Sequence, residues 1–328
     1  MGPSTPLTAD QLDVAALAGN GTRSFDVRVC DLPDGGALAV PVAVVSGCAP
    51  GPRLMVVGGV HGDEADGIAA AFALVAALSP ADFTGCVTIV PIANPMAFAA
   101  GQRRSPVDGR DLNRTCPGDP DGTPSERLAA VLSALVRRNA DFLFTLHGWY
   151  GTGVAHPHVE FDLAEGPTRA ASRAACHAAG FELVVAADWP PGVLPKVAVN
   201  AGIPAMESEI GGLGDCRPEN VAWLLERIRA LMTHLGMTDR PAASAATGPC
   251  HRHCYVNAPV AGVLHRLATL GARVTAGETV AVIRDLAGNV VATIAAPATG
   301  IVVTERRYLS VARGEDVVTI LVPGEDAK

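Results

Sequence analysis

A histidine and a glutamate three residues apart are the first side chains in this sequence that could do chemistry together. His61 and Glu64 follow the apolar run 54–57 and two glycines. A strand that ends in a glycine turn can present such side chains at the carboxyl edge of a sheet, where α/β proteins tend to place active sites. The pair could hold a zinc ion if a third ligand came from elsewhere, with one position left open for water. The alternative is a turn with two solvated polar side chains.

A second candidate ligand follows another apolar stretch. His147 comes directly after residues 142–146 and precedes a turn rich in glycine. Two strand ends that each present a histidine, one of them with a glutamate beside it, favour a metal site over two structural histidines. His156 and His158 follow in a His-Pro-His sequence. They could line a pocket, but a histidine pair in a loop is more often simply exposed.

Two glutamates lie in a further candidate strand, residues 202–212, which also ends in glycines. Glu207 and Glu209 would share one face of it, because side chains alternate along a strand with period two. A carboxylate buried among apolar strand residues is costly unless it is paired. Such a carboxylate is a candidate general base with a tuned pKa. The alternative is an exposed edge strand with two solvated glutamates.

The segment 94–118 is polar, rich in glycine and proline, and too long for a simple connection. Long structureless loops in compact domains are usually functional. This one carries Arg103, Arg104, Arg110 and Arg114. The planar guanidinium group of arginine matches carboxylates and developing oxyanions. A solvated surface loop is the alternative interpretation.

The elements that would position these side chains alternate between β-rich and helical runs. Apolar strands are predicted at 54–57, 86–91 and 142–146, and helices at 65–78 and 125–138. This alternation predicts an α/β domain built around a central sheet.

The composition of the chain changes towards its C-terminus. Residues 241–254 are rich in small residues and read as a linker, although the Cys-His-Arg-His-Cys run 250–254 could bind a metal. Short β-rich runs with regular turns then predict a separate all-β domain over 255–328, after a catalytic α/β domain over 1–240. The all-β domain looks like the flattened barrel of biotinyl and lipoyl carriers. It has no lysine between Val256 and Val322, which excludes a lysine-modified carrier.

The overall composition excludes several classes of partner. The chain has 328 residues, 49% of them hydrophobic, which is enough to bury a large core. A net charge of −8 without a long basic run argues against nucleic acid and anionic membranes as partners. The start lacks a signal-peptide pattern, and no apolar run reaches the roughly 18 residues of a membrane span. Eight scattered cysteines predict reduced thiols in a cytoplasmic protein, and the sequence leaves a homo-oligomer open.

Four sequence blocks in this order resemble the succinylglutamate desuccinylase/aspartoacylase family of zinc hydrolases, which is related to the zinc carboxypeptidases. The blocks are Gly-Gly-Val-His-Gly-Asp-Glu (58–64), Asn-Pro to Asp-Leu-Asn-Arg (94–114), Leu-His-Gly (146–148) and Gly-Ile-Pro-Ala to Glu-Ile-Gly-Gly (202–212). The resemblance covers nearly the whole chain after residue 20. It implies a mixed central sheet flanked by helices, as in the zinc carboxypeptidases, followed by a small all-β barrel-like C-terminal domain.

The resemblance implies a metal site. His61, Glu64 and His147 match the ligands of one zinc ion per subunit. Asp111 matches a carboxylate that orients the first histidine from its outer side, which is a general device of metal sites.

The resemblance also implies roles for residues around the metal. Arg103 matches the arginine that polarises the scissile carbonyl, and Glu209 matches the general base. Asn113 and Arg114 match the pair that grips the substrate carboxylate. Glu207 falls one step outside the pattern.

The implied activity is zinc-dependent hydrolysis of an amide bond in a small N-acyl amino acid or N-acyl amine, which releases a carboxylic acid and a free amine. Two alternatives stay open: a zinc carboxypeptidase acting on peptide ends, and a zinc-binding protein that has lost turnover. The intact Arg103 and Glu209 argue against the second. Cys116, Trp149 and Tyr150 depart from the family pattern near the expected pocket, so the sequence does not identify the acyl group or the amine.

Overall fold

The computed structural model describes residues 4–17, 21–32, 35–149, 151–240 and 248–324. Within these ranges thirteen strands form one mixed sheet, and four others form a small second sheet. In chain order the strands are β1 (Thr5–Leu7), β2 (Gly21–Asp31), β3 (Ala37–Ser46), β4 (Arg53–Gly58), β5 (Cys86–Val90), β6 (Phe142–His147), β7 (Gly153–Asp162), β8 (Val184–Ala187), β9 (Ala205–Gly212), β10 (His251–Asn257), β11 (Gly262–Arg266), β12 (Arg273–Val274), β13 (Thr279–Arg284), β14 (Val290–Ala295), β15 (Gly300–Arg306), β16 (Ser310–Val311) and β17 (Asp316–Pro323).

Helices cover the large sheet on both faces. Met55 and Val57 of β4 point into one hydrophobic core, and Leu54 and Val56 point into the other, as expected for a strand buried on both sides. Residues of α3 and α5 complete the first core, and residues of α1, α4 and α6 complete the second. Every helix in the described ranges is too short or too polar to cross a membrane. The helices are α1 (Ala65–Ala77), α2 (Pro95–Ala100), α3 (Pro124–Asn139), α4 (Pro167–Ala178), α5 (Leu194–Asn200) and α6 (Pro218–His234).

Parallel strands at the centre of the sheet bring the candidate residues to one edge. The sheet order is β1-β2-β3-β5-β4-β6-β9-β7-β8-β10-β17-β15-β12. Within it β4, β6 and β9 are parallel neighbours, with Gly58 opposite Leu146 and His147 opposite Glu209. The carboxyl ends of these strands therefore lie together, which is where sites form in open α/β sheets. The mixed α/β fold predicted from the alternation of strands and helices is confirmed.

The large sheet closes on itself in its C-terminal half. β15 pairs with β17 and also with β7, where Thr304 lies opposite Ala155. The strands β7, β8, β10, β17 and β15 therefore form a closed, barrel-like ring. Residues 251–254, expected in a linker, are part of β10 because their backbone pairs with β17; residues 241–247 lie outside the described ranges. The division into a catalytic domain and an all-β domain stays a prediction.

Strand β7 occupies the segment that the sequence analysis treated as a loop with two histidines. Its pairing with β9 sets Ala155 opposite Gly211 and His158 opposite Glu209. From Ala155 to His158 the chain of β7 advances by three residues while β9 advances by two. This extra residue is a β-bulge around Pro157. Proline is compatible with such a position because a bulge leaves one residue outside the ladder. The interrupted alternation explains why the segment did not read as a strand.

Candidate metal centre and substrate cleft

Three side chains that the sequence suggested as metal ligands lie together at the carboxyl edge of the sheet. We call His61, Glu64 and His147 the edge cluster; each is at most 2% exposed. The carboxylate of Glu64 lies between the two rings, with Oε1 2.5 Å from His61 Nδ1 and Oε2 2.9 Å from His147 Nδ1. The donor atoms lie within 4.8 Å of one another. Two imidazole nitrogens and a carboxylate are a donor set that zinc takes in catalytic sites, so the residues fit the ion.

The local backbone explains why glycines lie on both sides of His61. Gly59 has a φ of +64°, a left-handed conformation that permits a sharp turn after β4. A Cβ atom on Gly62 would lie 2.1 Å from the carbonyl carbon of Ala97 in α2, so a side chain there would push α2 away. Glu64 then forms the N-cap residue of α1. The turn thus fixes His61 and Glu64 between two helices.

Carboxylates lie beside the outer nitrogens of both edge-cluster histidines. Asp111 Oδ1 lies 3.1 Å from His61 Nε2 in a hydrogen bond. Glu207 Oε2 lies 3.2 Å from His147 Nε2, an ion-pair distance without hydrogen-bond alignment. Arg103 donates from Nε to Asp111 Oδ2 over 3.0 Å. Although burial opposes it, the hydrogen bond to His61 and the charge of Arg103 hold the pKa of Asp111 well below its usual range. These contacts orient both rings so that their Nδ1 atoms face Glu64.

The two glutamates of β9 have different surroundings. Glu207 accepts a hydrogen bond from Thr145 Oγ1 over 3.2 Å, and despite its burial the charge of His147 lowers its pKa. Glu209 has a buried Oε2 atom without a hydrogen-bond partner among the described residues. Burial, together with the nearby charge of Glu64, raises the pKa of Glu209 well above its usual range. Environments that push two pKa values apart are typical of sites that divide acid–base roles between neighbouring groups.

A cleft of about 610 Å³ opens beside the edge cluster. Arg103, Asn113, Arg114 and Glu209 all line it. The buried amide oxygen of Asn113 accepts a hydrogen bond from the backbone N–H of Leu194 over 3.1 Å. The exposed Arg114 donates from Nη1 to the carbonyl oxygen of Asn113 over 2.6 Å. These contacts fix two groups of the polar loop at the cleft wall.

The C-terminal half of the chain also lines this cleft. Arg252, His253 and Tyr255 of β10 and Asp316 of β17 contribute to its wall. Arg252 and His253 belong to the run 250–254, for which a metal site was one interpretation and a linker the preferred one. Tyr255 and Asp316 come from the β-rich region behind it and were not expected at the site.

Three residues that depart from the family pattern have different locations. Trp149 lines the cleft, so the bulky residue two positions after His147 contributes to its wall. Cys116 is buried and is not among the cleft residues; burial raises the pKa of its thiol to about 12. Tyr150 lies outside the described residues.

A second group of side chains lies at the cleft, and the sequence suggested its two histidines only separately, His158 as a possible pocket residue and His253 within a possible metal-binding run. His158, Glu160 and His253 have donor atoms within 4.8 Å of one another, and we call them the wall cluster. His158 is buried rather than exposed as expected for a loop histidine. Burial lowers the pKa of both His158 and His253 to about 4. The spacing of His158 and Glu160, two residues apart on one strand face, was the available signal.

Comparison with known proteins identifies a family and a set of similar folds. The model of the succinylglutamate desuccinylase/aspartoacylase catalytic domain matches residues 50–235. N-alpha-acetyl-L-2,4-diaminobutyric acid deacetylase of Halomonas elongata is 31% identical over 305 residues, which cover 87% of this chain and 86% of that protein. The product-bound ectoine utilization protein EutE (DoeB) of Ruegeria pomeroyi has a similar structure, with a TM-score of 0.86, 27% identity, and 93% and 97% of the two chains covered. A succinylglutamate desuccinylase/aspartoacylase structure from Rhodobacter sphaeroides gives a TM-score of 0.84 at 27% identity, with 94% and 97% covered.

Proposed function

This chain belongs to the succinylglutamate desuccinylase/aspartoacylase family, and from that premise we propose that it is a zinc-dependent deacylase. It hydrolyses the amide bond of a small N-acyl amino acid or N-acyl amine and releases a carboxylic acid and a free amine. The observation that carries the proposal is the edge cluster, which stands beside a cleft lined by Arg103 and by Glu209, whose Oε2 atom has no hydrogen-bond partner among the described residues. The proposal includes a zinc carboxypeptidase-like arrangement of the sheet and a cytoplasmic location.

His61, Glu64 and His147 would hold the zinc ion through two Nδ1 atoms and a carboxylate. When bound, the ion supplies Lewis-acid chemistry, which polarises a carbonyl and lowers the pKa of water. Asp111 and Glu207 keep the two rings in the orientation and tautomer that present Nδ1 to the ion.

Glu209 moves the proton in the proposed reaction. Its carboxylate takes a proton from the attacking water and later returns it to the nitrogen of the leaving amine. This assignment is supported by its place in the cleft, its lack of a partner among the described residues and its raised pKa. Glu207 is the weaker candidate, because its carboxylate is already engaged by His147 and Thr145.

Arginine and asparagine side chains of the polar loop bind and polarise the substrate. Arg103, held by Asp111, stabilises the carbonyl oxygen as negative charge develops on it. Asn113 and Arg114 bind the carboxylate of the N-acyl amino acid, as a guanidinium and an amide can do together. This division of roles predicts that substrates without a carboxylate bind less tightly.

A hydrolysis screen tests the function. The zinc-loaded protein is offered N-acetyl, N-succinyl and N-aspartyl amino acids together with short peptides, and release of primary amine is measured. Acetylated diamino acids come first, because the 31%-identical relative is a deacetylase of such a compound. Turnover of peptides from their carboxyl ends with no N-acyl amino acid hydrolysed would favour a carboxypeptidase. Absence of turnover across both panels in the zinc-replete protein would favour a binding protein.

A further inference from the structure

The wall cluster repeats the donor set of the edge cluster, and the proposed reaction does not use it. His158 and Glu160 lie on β7, and His253 lies on β10, two strands away across β8. We propose that His158 Nε2, Glu160 Oε1 and His253 Nε2 form a second site for a divalent transition-metal ion. Two imidazoles and one carboxylate suit zinc and its neighbours in the first transition row.

The spacing of the donor atoms fits an ion better than it fits hydrogen bonds. Glu160 Oε1 lies 3.8 Å from His158 Nε2 and 3.5 Å from His253 Nε2. Both distances exceed those of good hydrogen bonds between nitrogen and oxygen. Zinc bonds of about 2.0–2.2 Å in a tetrahedral shell place neighbouring donor atoms about 3.4 Å apart. Glu160 is therefore close to the separation from each histidine that one shared ion requires, and all three donor atoms lie within 4.8 Å of one another.

The tautomer of His158 makes its inward nitrogen a lone-pair donor. His158 Nδ1 lies 2.8 Å from the carbonyl oxygen of His156. A carbonyl oxygen only accepts, so Nδ1 carries the proton and the Nε2 atom of the neutral ring does not. That Nε2 atom is buried and makes no hydrogen bond within the described part of the chain. A cation between this nitrogen and Glu160 Oε1, which lies 3.8 Å away, would satisfy both atoms.

The outer atoms of the other two ligands also have partners. Trp189 donates from Nε1 to Glu160 Oε2 over 3.0 Å, which leaves Oε1 for the site. The hydroxyl of Tyr255 lies 3.3 Å from His253 Nδ1. Each donor group is thus held from behind, as the ligands of established metal sites are.

The bulge in β7 is what turns two of these ligands towards the cleft side. With regular pairing after Ala155, Pro157 and Val159 would lie opposite Glu209 and Glu207. The extra residue instead sets His158 and Glu160 in those positions, and residues directly opposite each other share a face. Bulges often re-aim side chains near functional sites. A bound ion would connect β7 with β10 and add positive charge beside the glutamates of β9.

Metal counting on the intact chain tests the second site. The protein is stripped with a chelator and titrated with Zn²⁺, and the ions bound per chain are counted by native mass spectrometry. We expect two equivalents for the natural sequence and one for His253→Ala or Glu160→Gln. His147→Ala should also retain one, and the double variant His147→Ala/His253→Ala none. His265→Ala, which removes an exposed histidine from β11, is the matched control and should keep two.

Titration with Co²⁺ adds a spectroscopic count, because each occupied site contributes its own visible absorption. One equivalent in the natural sequence, or two in a folded His253→Ala, would overturn the second site. If circular dichroism shows that the wall-cluster variants are unfolded, the metal count of His147→Ala tests the second site instead. Zero equivalents of metal in the folded His147→Ala protein would overturn the second site. The variants count the bound ions separately for the edge cluster and the wall cluster, independently of hydrolysis. A protein that binds two ions yet hydrolyses nothing would therefore contradict the deacylase proposal and leave the second site standing.

Discussion

The edge cluster and the wall cluster contain the same three donor groups but have different neighbours. The edge-cluster histidines are held from behind by the carboxylates of Asp111 and Glu207, and Arg103 stands beside them. The wall cluster is held by a backbone carbonyl, the indole of Trp189 and the hydroxyl of Tyr255. Charged partners make an imidazole more basic, whereas neutral partners only fix its orientation. A donor set alone therefore does not make a catalytic centre.

A second difference lies in what faces each cluster. The edge cluster has beside it Glu209, whose buried Oε2 atom lacks a hydrogen-bond partner among the described residues, and the positive side chain of Arg103. These groups can move a proton and stabilise developing negative charge. The wall cluster lies opposite the two glutamates of β9, with His158 opposite Glu209 and Glu160 opposite Glu207, but its own ligands are held by neutral groups. We therefore expect the proposed chemistry at the edge cluster and attachment of β7 to β10 at the wall cluster.

Loss of an edge-cluster ligand should have the largest effect on catalysis. His147→Ala should lower kcat/KM by at least about 1000-fold, because the ion supplies several kcal/mol of charge stabilisation. His253→Ala, which removes the corresponding ligand of the wall cluster, should lower it far less. Steady-state kinetics with metal analysis of both variants checks this. An equal loss of activity in the two variants would break the division of roles.

The next largest effect should separate the two glutamates of β9. Glu209→Gln should keep its zinc and lose about 100- to 10,000-fold in kcat, because the amide cannot take up the proton. Glu207→Gln should instead weaken zinc binding by about 10- to 100-fold, since it removes the group behind His147. Turnover and zinc content are measured for both. An active Glu209→Gln beside a dead, zinc-bound Glu207→Gln would reverse the assignment.

Outer partners give a smaller contrast between the clusters. Asp111→Asn should lower the zinc affinity of the edge cluster by about 10- to 100-fold. Tyr255→Phe removes one neutral hydrogen bond, worth about 1 kcal/mol, and should lower affinity at the wall cluster by about fivefold. Competition with a chromogenic chelator measures both constants. A larger loss for Tyr255→Phe than for Asp111→Asn would contradict the view that the edge cluster depends on charged support.

The smallest expected effect is that of modifying Cys116, whose thiol lies in the same loop as Asp111. Burial raises the pKa of Cys116 to about 12, so at about pH 8 it should be almost wholly protonated and unreactive. Iodoacetamide should modify the exposed Cys48 and Cys216 first and leave activity unchanged. Peptide mapping by mass spectrometry identifies the labelled residues. Rapid labelling of Cys116 with loss of turnover would place this thiol in the cleft.

The edge cluster was predictable because its signals are local. His61 and His147 each follow an apolar run and stand next to glycines, so strand, turn and ligand can be read from a few neighbouring residues. The contact of Glu207 with His147 was not predictable, since it depends on the register between β6 and β9. Periodicity shows which side chains share a face, but not what lies opposite them.

The sequence suggested two histidines of the wall cluster separately but not the cluster itself, for two physical reasons. The bulge at Pro157 interrupts the alternation by which a half-buried strand is recognised. His253 lies in β10, whose polar sequence resembles a linker. That strand forms because β17 and β8 supply partners for its backbone, and such pairing between distant segments leaves little trace in local sequence.

The closed ring of strands has a consequence for any attempt to divide the chain. A protein truncated after residue 240 would lack β10 and β15, the strands that pair with β8 and with the first part of β7. Both would then present unpaired backbone N–H and C=O groups to solvent. Exposed strand edges of this kind recruit other chains and promote aggregation. The C-terminal strands β10 and β15 therefore protect the edges of β8 and β7, and a protein truncated after residue 240 should be prone to self-association.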